Sequence, residues 1–147
     1  MKEIQFYKFI RDYVFPRHVD IMQKRQWMRR PTATEQAIKV DEELNEFLDA
    51  KEHASRLMVH IVYHLKDELF IELYREFIKD TKESELADVI LAKSYLMFLM
   101  KKESLQFCPI WFVEGHFDNI YRLSIGFKDI KLHLKAKMRY NKLRQDW

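Results

Sequence analysis

Two pairs of acids constrain this chain more than any other feature: Glu43 and Glu46 in VDEELNEF, and Glu85 and Asp88 in ESELADVI. Each pair is spaced i, i+3 within a stretch whose apolar residues recur at helical period. Each pair therefore lies on one side of its helix. The acids border the apolar faces made by Val40, Leu44 and Phe47 and by Leu86, Val89 and Ile90. Carboxylates at the edge of a buried face are costly unless protonated or matched by cations. Two such helices packed antiparallel would gather four carboxylates around one small space. A hard cation that takes oxygen ligands fits that space, so Mg²⁺ is expected there, with Mn²⁺ as a substitute and substrate phosphates as further ligands.

With only two glycines and three prolines in 147 residues, a turn-rich β-protein is excluded and an all-α helical bundle is expected. The length suits one domain spanning 1–147. Asp88 and Lys93 interrupt the best apolar run, so no membrane span is expected. The N-terminus lacks a signal-peptide core, and Cys108 is the sole cysteine, which leaves no internal disulfide. A soluble, cytoplasmic protein is the expectation. The net charge of +3 hides a division: +5 over residues 1–30, −7 over 31–127 and +5 over 128–147. An acidic centre between basic ends suits a metal-phosphate site better than a continuous basic nucleic-acid surface.

Periodicity predicts a helix over 3–14, a break or kink at Pro16, and renewed helix through Arg29 until Pro31. Thr32 and Glu35 have capping-box spacing and open the helix that carries the first acidic pair. Helical spacing continues from Ala54 to Ile78, with a bend near Lys66–Asp67, and Thr81 or Ser84 caps the helix of the second pair. Residues 105–119, holding Pro109 and Gly115, read as a loop with short helical pieces. The aromatics Phe107, Trp111, Phe112 and Phe117 are expected in core or dimer contacts. A last helix starts near Lys128.

Other cation chemistries fit poorly. No histidine has an acid three residues before it, which a carboxylate-bridged di-iron bundle needs. His60 and His64, at i, i+4, lack the Glu of a zinc protease motif. On the last helix Lys137, Tyr140, Asn141 and Arg144 share one stripe, and Lys, Arg and Asn side chains suit phosphate, sugar and base edges. By spacing alone this stripe equally describes an ordinary basic helix end.

The combination Glu42-Glu43-x-x-Glu46, Glu85-x-x-Asp88 and KMRYNKLR resembles the all-α NTP pyrophosphohydrolases of the MazG-like superfamily, which includes dimeric dUTPases and dCTP pyrophosphatases. Three separated motifs stand in the family's order over roughly residues 20 to 144. Two departures stand out: the 38 residues between Glu46 and Glu85, which suggest an added helical excursion at 54–80, and the 105–119 segment. The resemblance implies Mg²⁺-dependent hydrolysis of a nucleoside or deoxynucleoside triphosphate to the monophosphate and pyrophosphate. Glu43, Glu46, Glu85 and Asp88 would hold the metal. Glu42 would orient or deprotonate the attacking water, Lys137, Asn141 and Arg144 would bind the nucleotide, and Trp27 would stack on its base. A homodimer or higher homo-oligomer is implied as well. Two readings from other classes stand beside this one. One is a non-catalytic helical bundle that docks a partner through 107–117. The other is a nucleic-acid-binding module in which Trp27 stacks among Lys24, Arg25, Arg29 and Arg30.

Overall fold

Pro16 removes a backbone donor and crowds the turn before it, yet the N-terminal helix passes through it. The computed structural model describes residues 2–26, 29–105 and 109–144, with backbone only for 109–114. Helix α1 (Lys2–Phe9) runs into a π-helical turn at Ile10–Val14 and then into α2 (Phe15–Arg25). The Phe15 N–H reaches five residues back to the Ile10 carbonyl. That wider turn makes room for the proline ring, so the expected kink is taken up by a π-bulge and the helix is not broken.

Helix α3 (Ala33–Asp49) opens on the predicted capping box. The Glu35 N–H donates to Thr32 Oγ1 at 3.1 Å, and the Thr32 N–H donates to the Glu35 carboxylate at 3.2 Å. The 54–78 stretch divides into α4 (Arg56–Tyr63) and α5 (Asp67–Phe77), with the junction close to the expected bend. Asp67 and Glu68 fall in the first turn of α5, where the helix N-terminus favours negative charge. Thr81 caps α6 (Lys82–Lys102), accepting from the Ser84 N–H at 3.3 Å.

Residues 109–122 correct the sequence reading. They form one helix, α7 (Pro109–Arg122), where a loop with short helical pieces was expected. Proline is well tolerated in the first turn of a helix. Gly115, inside α7, costs about 1 kcal/mol relative to alanine. Tertiary packing offsets it: Ile120 is fully buried, and Phe117 sits 6.0 Å from Phe6 and 6.1 Å from Phe127. Phe107 and the side chains of Trp111 and Phe112 lie outside the described residues. Helix α8 (Phe127–Leu143) is the last element among the described residues. Every regular element among the described residues is helical, so the fold is all-α.

Helix α6 is the centre. Leu86, Ala87, Ile90, Leu91, Tyr95 and Leu99 are all buried, because α2, α3, α7 and α8 surround it. The start of α3 meets the end of α6, where the Ala33 N–H donates to the Glu103 carboxylate at 2.5 Å. One turn on, Gln36 donates to the Ala92 carbonyl at 3.0 Å. These contacts set the register at which the acidic stretch of α3 faces that of α6. Replacing Thr32 by Ala should therefore lower stability by about 1 kcal/mol. A urea titration would show it as a lower midpoint with an unchanged slope.

Candidate active site

Three carboxyl groups come together where α3 meets the first turns of α6. Oxygen atoms of Glu43, Glu85 and Asp88 all lie within 4.8 Å of one another. Glu46, the fourth expected ligand, is exposed at the rim of the cluster. Burial and the neighbouring Glu43 charge raise the Glu46 pKa. Burial, and then the Asp88 charge, push Glu85 up to about 8. Burial pushes Asp88 up to about 6, against the pull of Lys137. This is the behaviour of crowded, desolvated carboxylates that lack enough positive charge.

Two lysines supply part of that charge. Lys39, one turn before Glu43 on α3, places its Nζ 2.9 Å from Glu43 and 3.9 Å from Glu42. Lys137 of α8 places its Nζ 3.1 Å from Asp88 Oδ2, and its side chain is only 4% exposed. Burial opposes the Lys137 charge, but Tyr74 and Asp88 more than offset this and hold its pKa above the ordinary lysine value. The ammonium lies 5.6 Å from the Tyr74 ring and 5.4 Å from the Tyr140 ring, which stack on each other at 4.7 Å. Tyr74 also exchanges a hydrogen bond with Ser84 at 2.9 Å, and Arg75 donates to the Tyr140 hydroxyl at 2.9 Å. Lys137, expected to contact the nucleotide, lines the cleft with its ammonium paired to Asp88.

The cluster opens into a cleft of about 1020 Å³. Of the residues singled out in the sequence, Glu42, Glu43, Glu46, Glu85, Asp88, Lys137, Asn141 and Arg144 all line it. Trp27 lies outside the described residues. The end of α8 is held at the cleft mouth by Arg25 of α2. Its guanidinium donates to the carbonyls of Asn141 at 2.8 Å, Lys142 at 3.3 Å and Arg144. A cation there satisfies the last carbonyls and complements the helix dipole. No family model, curated protein or solved structure matches this chain.

The donor set suits a hard divalent cation. Glu43 Oε2 and Glu85 Oε2 are both buried without a hydrogen-bond partner. Octahedral Mg²⁺ with ligands at ~2.1 Å needs oxygens ~3.0 Å apart when adjacent and ~4.2 Å apart when opposite. Glu43, Glu85 and Asp88 each offer an oxygen within 4.8 Å of the others, a wider grouping than that, and could supply part of such a ligand set.

Among the other lining residues, Lys39 and His18 carry chemistry that the sequence reading did not assign to the site. Lys39 is recognisable in hindsight from its i, i+4 spacing to Glu43. His18 of α2 is buried in the cleft wall, edge-on to Tyr95 at 6.2 Å, with its Nδ1 unpartnered. Burial lowers its pKa to about 4, so it is neutral at physiological pH. Nothing in the local sequence separates such a histidine from an ordinary core residue.

The carboxyl pKa values carry a consequence for the metal-free protein. Glu85 binds its proton more tightly folded than unfolded, so unfolding releases a proton between the ordinary value of 4.5 and about 8. The Glu85 contribution to stability should be fully present below that window and be lost as pH rises through it, whereas buried neutral histidines such as His18 act in the opposite sense below about 6.5. The difference in thermal stability between the wild type and Glu85→Gln, measured in chelator, should therefore fall across this range. Adding a divalent ion at the upper end should restore the lost stability.

Proposed function

We propose that this chain is a divalent-metal-dependent nucleoside triphosphate pyrophosphohydrolase of the MazG-like kind, acting on a nucleoside or deoxynucleoside triphosphate. One observation carries the reading: eight of the nine residues selected from the sequence, on three separate helices, line one cleft around buried, unpartnered carboxylate oxygens. Surface acids selected by chance would not converge in this way.

In this reading Glu43, Glu85 and Asp88 hold Mg²⁺, with Glu46 joining from the rim; Mn²⁺ would serve in its place. When bound, the ion supplies charge stabilisation for the phosphate chain and activation of water. The residues of the chain account for the rest. Glu42, at the exposed edge beside the cluster, orients and deprotonates the water that attacks the α-phosphorus, while pyrophosphate departs. Lys137 keeps Asp88 ionised and in place. Arg144 at the end of α8 meets phosphate oxygens, and the Asn141 amide meets the sugar or base. His18, neutral and in the wall, offers a ring nitrogen to the base. Positioning and electrostatics provide most of the rate gain in phosphoryl chemistry. A homo-oligomer belongs to the same reading. No helix among the described residues is long and apolar enough to cross a membrane, which fits a substrate met in water.

Pyrophosphate release from a panel of ribo- and deoxyribonucleoside triphosphates, with and without Mg²⁺, tests the proposal. Release should require the metal and fall roughly 10²-fold or more in Glu43→Ala or Asp88→Ala. Unchanged Mg²⁺ binding by calorimetry in the double variant would place the metal elsewhere. Arg144→Ala should weaken all nucleotides alike, whereas Asn141→Ala should change the ranking among them. Wild-type kcat/KM in both would reduce the end of α8 to scaffold.

A further inference from the structure

Lys39 stands four residues before Glu43 and three before Glu42 on α3, spacings that put the three side chains on one side of the helix. Glu43 divides its carboxylate between two settings. Its Oε1 lies 2.9 Å from the Lys39 ammonium, and its Oε2 is buried without a hydrogen-bond partner. The two ends of this pair are unequally held: the Glu43 side chain is 12% exposed and the Lys39 side chain 52%. Burial opposes the Lys39 charge, but the bond to Glu43 and the charges of Glu43, Glu42 and Glu46 hold its pKa above the ordinary value, so it remains an ammonium. An i, i+4 pair at a helix surface contributes little to stability. This one is set on a carboxylate that a metal in the cleft would need.

Eight carboxyl side chains and four of Lys or Arg line the cleft, so a triphosphate enters it against an excess of negative charge. Lys137 is buried and committed to Asp88. Lys39 sits on a flexible four-carbon stem in contact with water, and its ammonium can leave Glu43 without disturbing the core. A dication on Glu43 would withdraw the negative charge that holds the ammonium and would repel it. Once released, the ammonium stays tethered to the wall of the cleft, where the phosphates bound by such a metal offer charge-assisted hydrogen bonds. We propose that Lys39 is a substrate-binding residue that works by exchange: it holds Glu43 while the metal is absent and passes to the phosphate oxygens of the triphosphate when the metal takes Glu43. The inference rests on the metal-dependent reading of the cleft given above. To that reading it adds one residue outside the acidic and KMRYNKLR motifs, and an order of binding in which the metal precedes the phosphates.

Two binding measurements on the full chain and on Lys39→Gln test the exchange, because they should move in opposite directions. Mn²⁺ alone, followed by electron paramagnetic resonance of the free ion, should bind the variant about 3- to 5-fold more tightly than the wild type, since a competing cation has gone. Inorganic tripolyphosphate, titrated calorimetrically in saturating Mg²⁺, should bind the variant roughly 10-fold more weakly, since a charged phosphate contact has gone. A residue that merely supports the helix would shift both affinities the same way or neither. Unchanged or weaker Mn²⁺ binding by Lys39→Gln, or tripolyphosphate binding equal to wild type, overturns the proposal. Either result with Mn²⁺ binding intact in the wild type removes the role of Lys39 alone. A wild type that binds no Mn²⁺ takes the metal-dependent reading down with it.

Discussion

An ammonium from α8 and a carboxylate from α6 meet at 3.1 Å in the interior, and the surrounding helices are arranged to permit that contact. Lys137 reaches Asp88 along the stacked rings of Tyr74 and Tyr140, whose hydroxyl groups are in turn bonded to Ser84 and Arg75. Helices α5, α6 and α8 thus share one polar network, and the acidic part of α3 packs against it. Breaking one side of a buried pair typically costs about 3–5 kcal/mol, although an apolar replacement of both sides can be neutral. The pair therefore does more for uniqueness than for stability. It fixes which turn of α8 stands beside which turn of α6, and with that the place of Asn141 and Arg144.

The two lysines at the cluster are unequal. Lys39 is about half exposed and can swing into water when another cation takes Glu43. Lys137 is almost wholly buried against Tyr74 and Tyr140. One carboxylate is thus neutralised by an exposed partner and another by a buried one. Around them Glu43 and Glu85 keep buried oxygens with no partner, which in a settled core would have been replaced by apolar atoms. Such unpartnered groups support the proposal that a cation from solution completes the site.

Much of this was legible in the chain. Thr32 and Glu35 announced the start of α3 because a capping box is a local device. Periodicity placed the acids on α3 and α6 because side chains three apart must share a helix side. Periodicity could not show that Lys137 is buried, since its partner lies on another helix 49 positions away in sequence. Nor could it rank Glu46 as peripheral, because exposure depends on what packs opposite. Pro109 and Gly115 argued for a loop, and the cost they impose was outweighed by the burial of Ile120 and the contacts of Phe117. His18 was silent for a related reason: its neutrality comes from burial under α6, not from its neighbours in sequence.

The π-helical turn at Ile10–Val14 adds one residue to a single coil, and one residue corresponds to about 100° of rotation about the helix axis. Everything after it is read in a new phase. Phe6 and Ile10 face the core around Leu86 and Ile90, whereas Val19 and Met22 face Tyr95 and Leu99. His18 comes to rest in the cleft wall. The amino acids that form that wall are thus chosen by a count of residues made upstream. A chain shorter by one residue in this turn would spell the same segment from Pro16 onward and present a different side of it to the cleft.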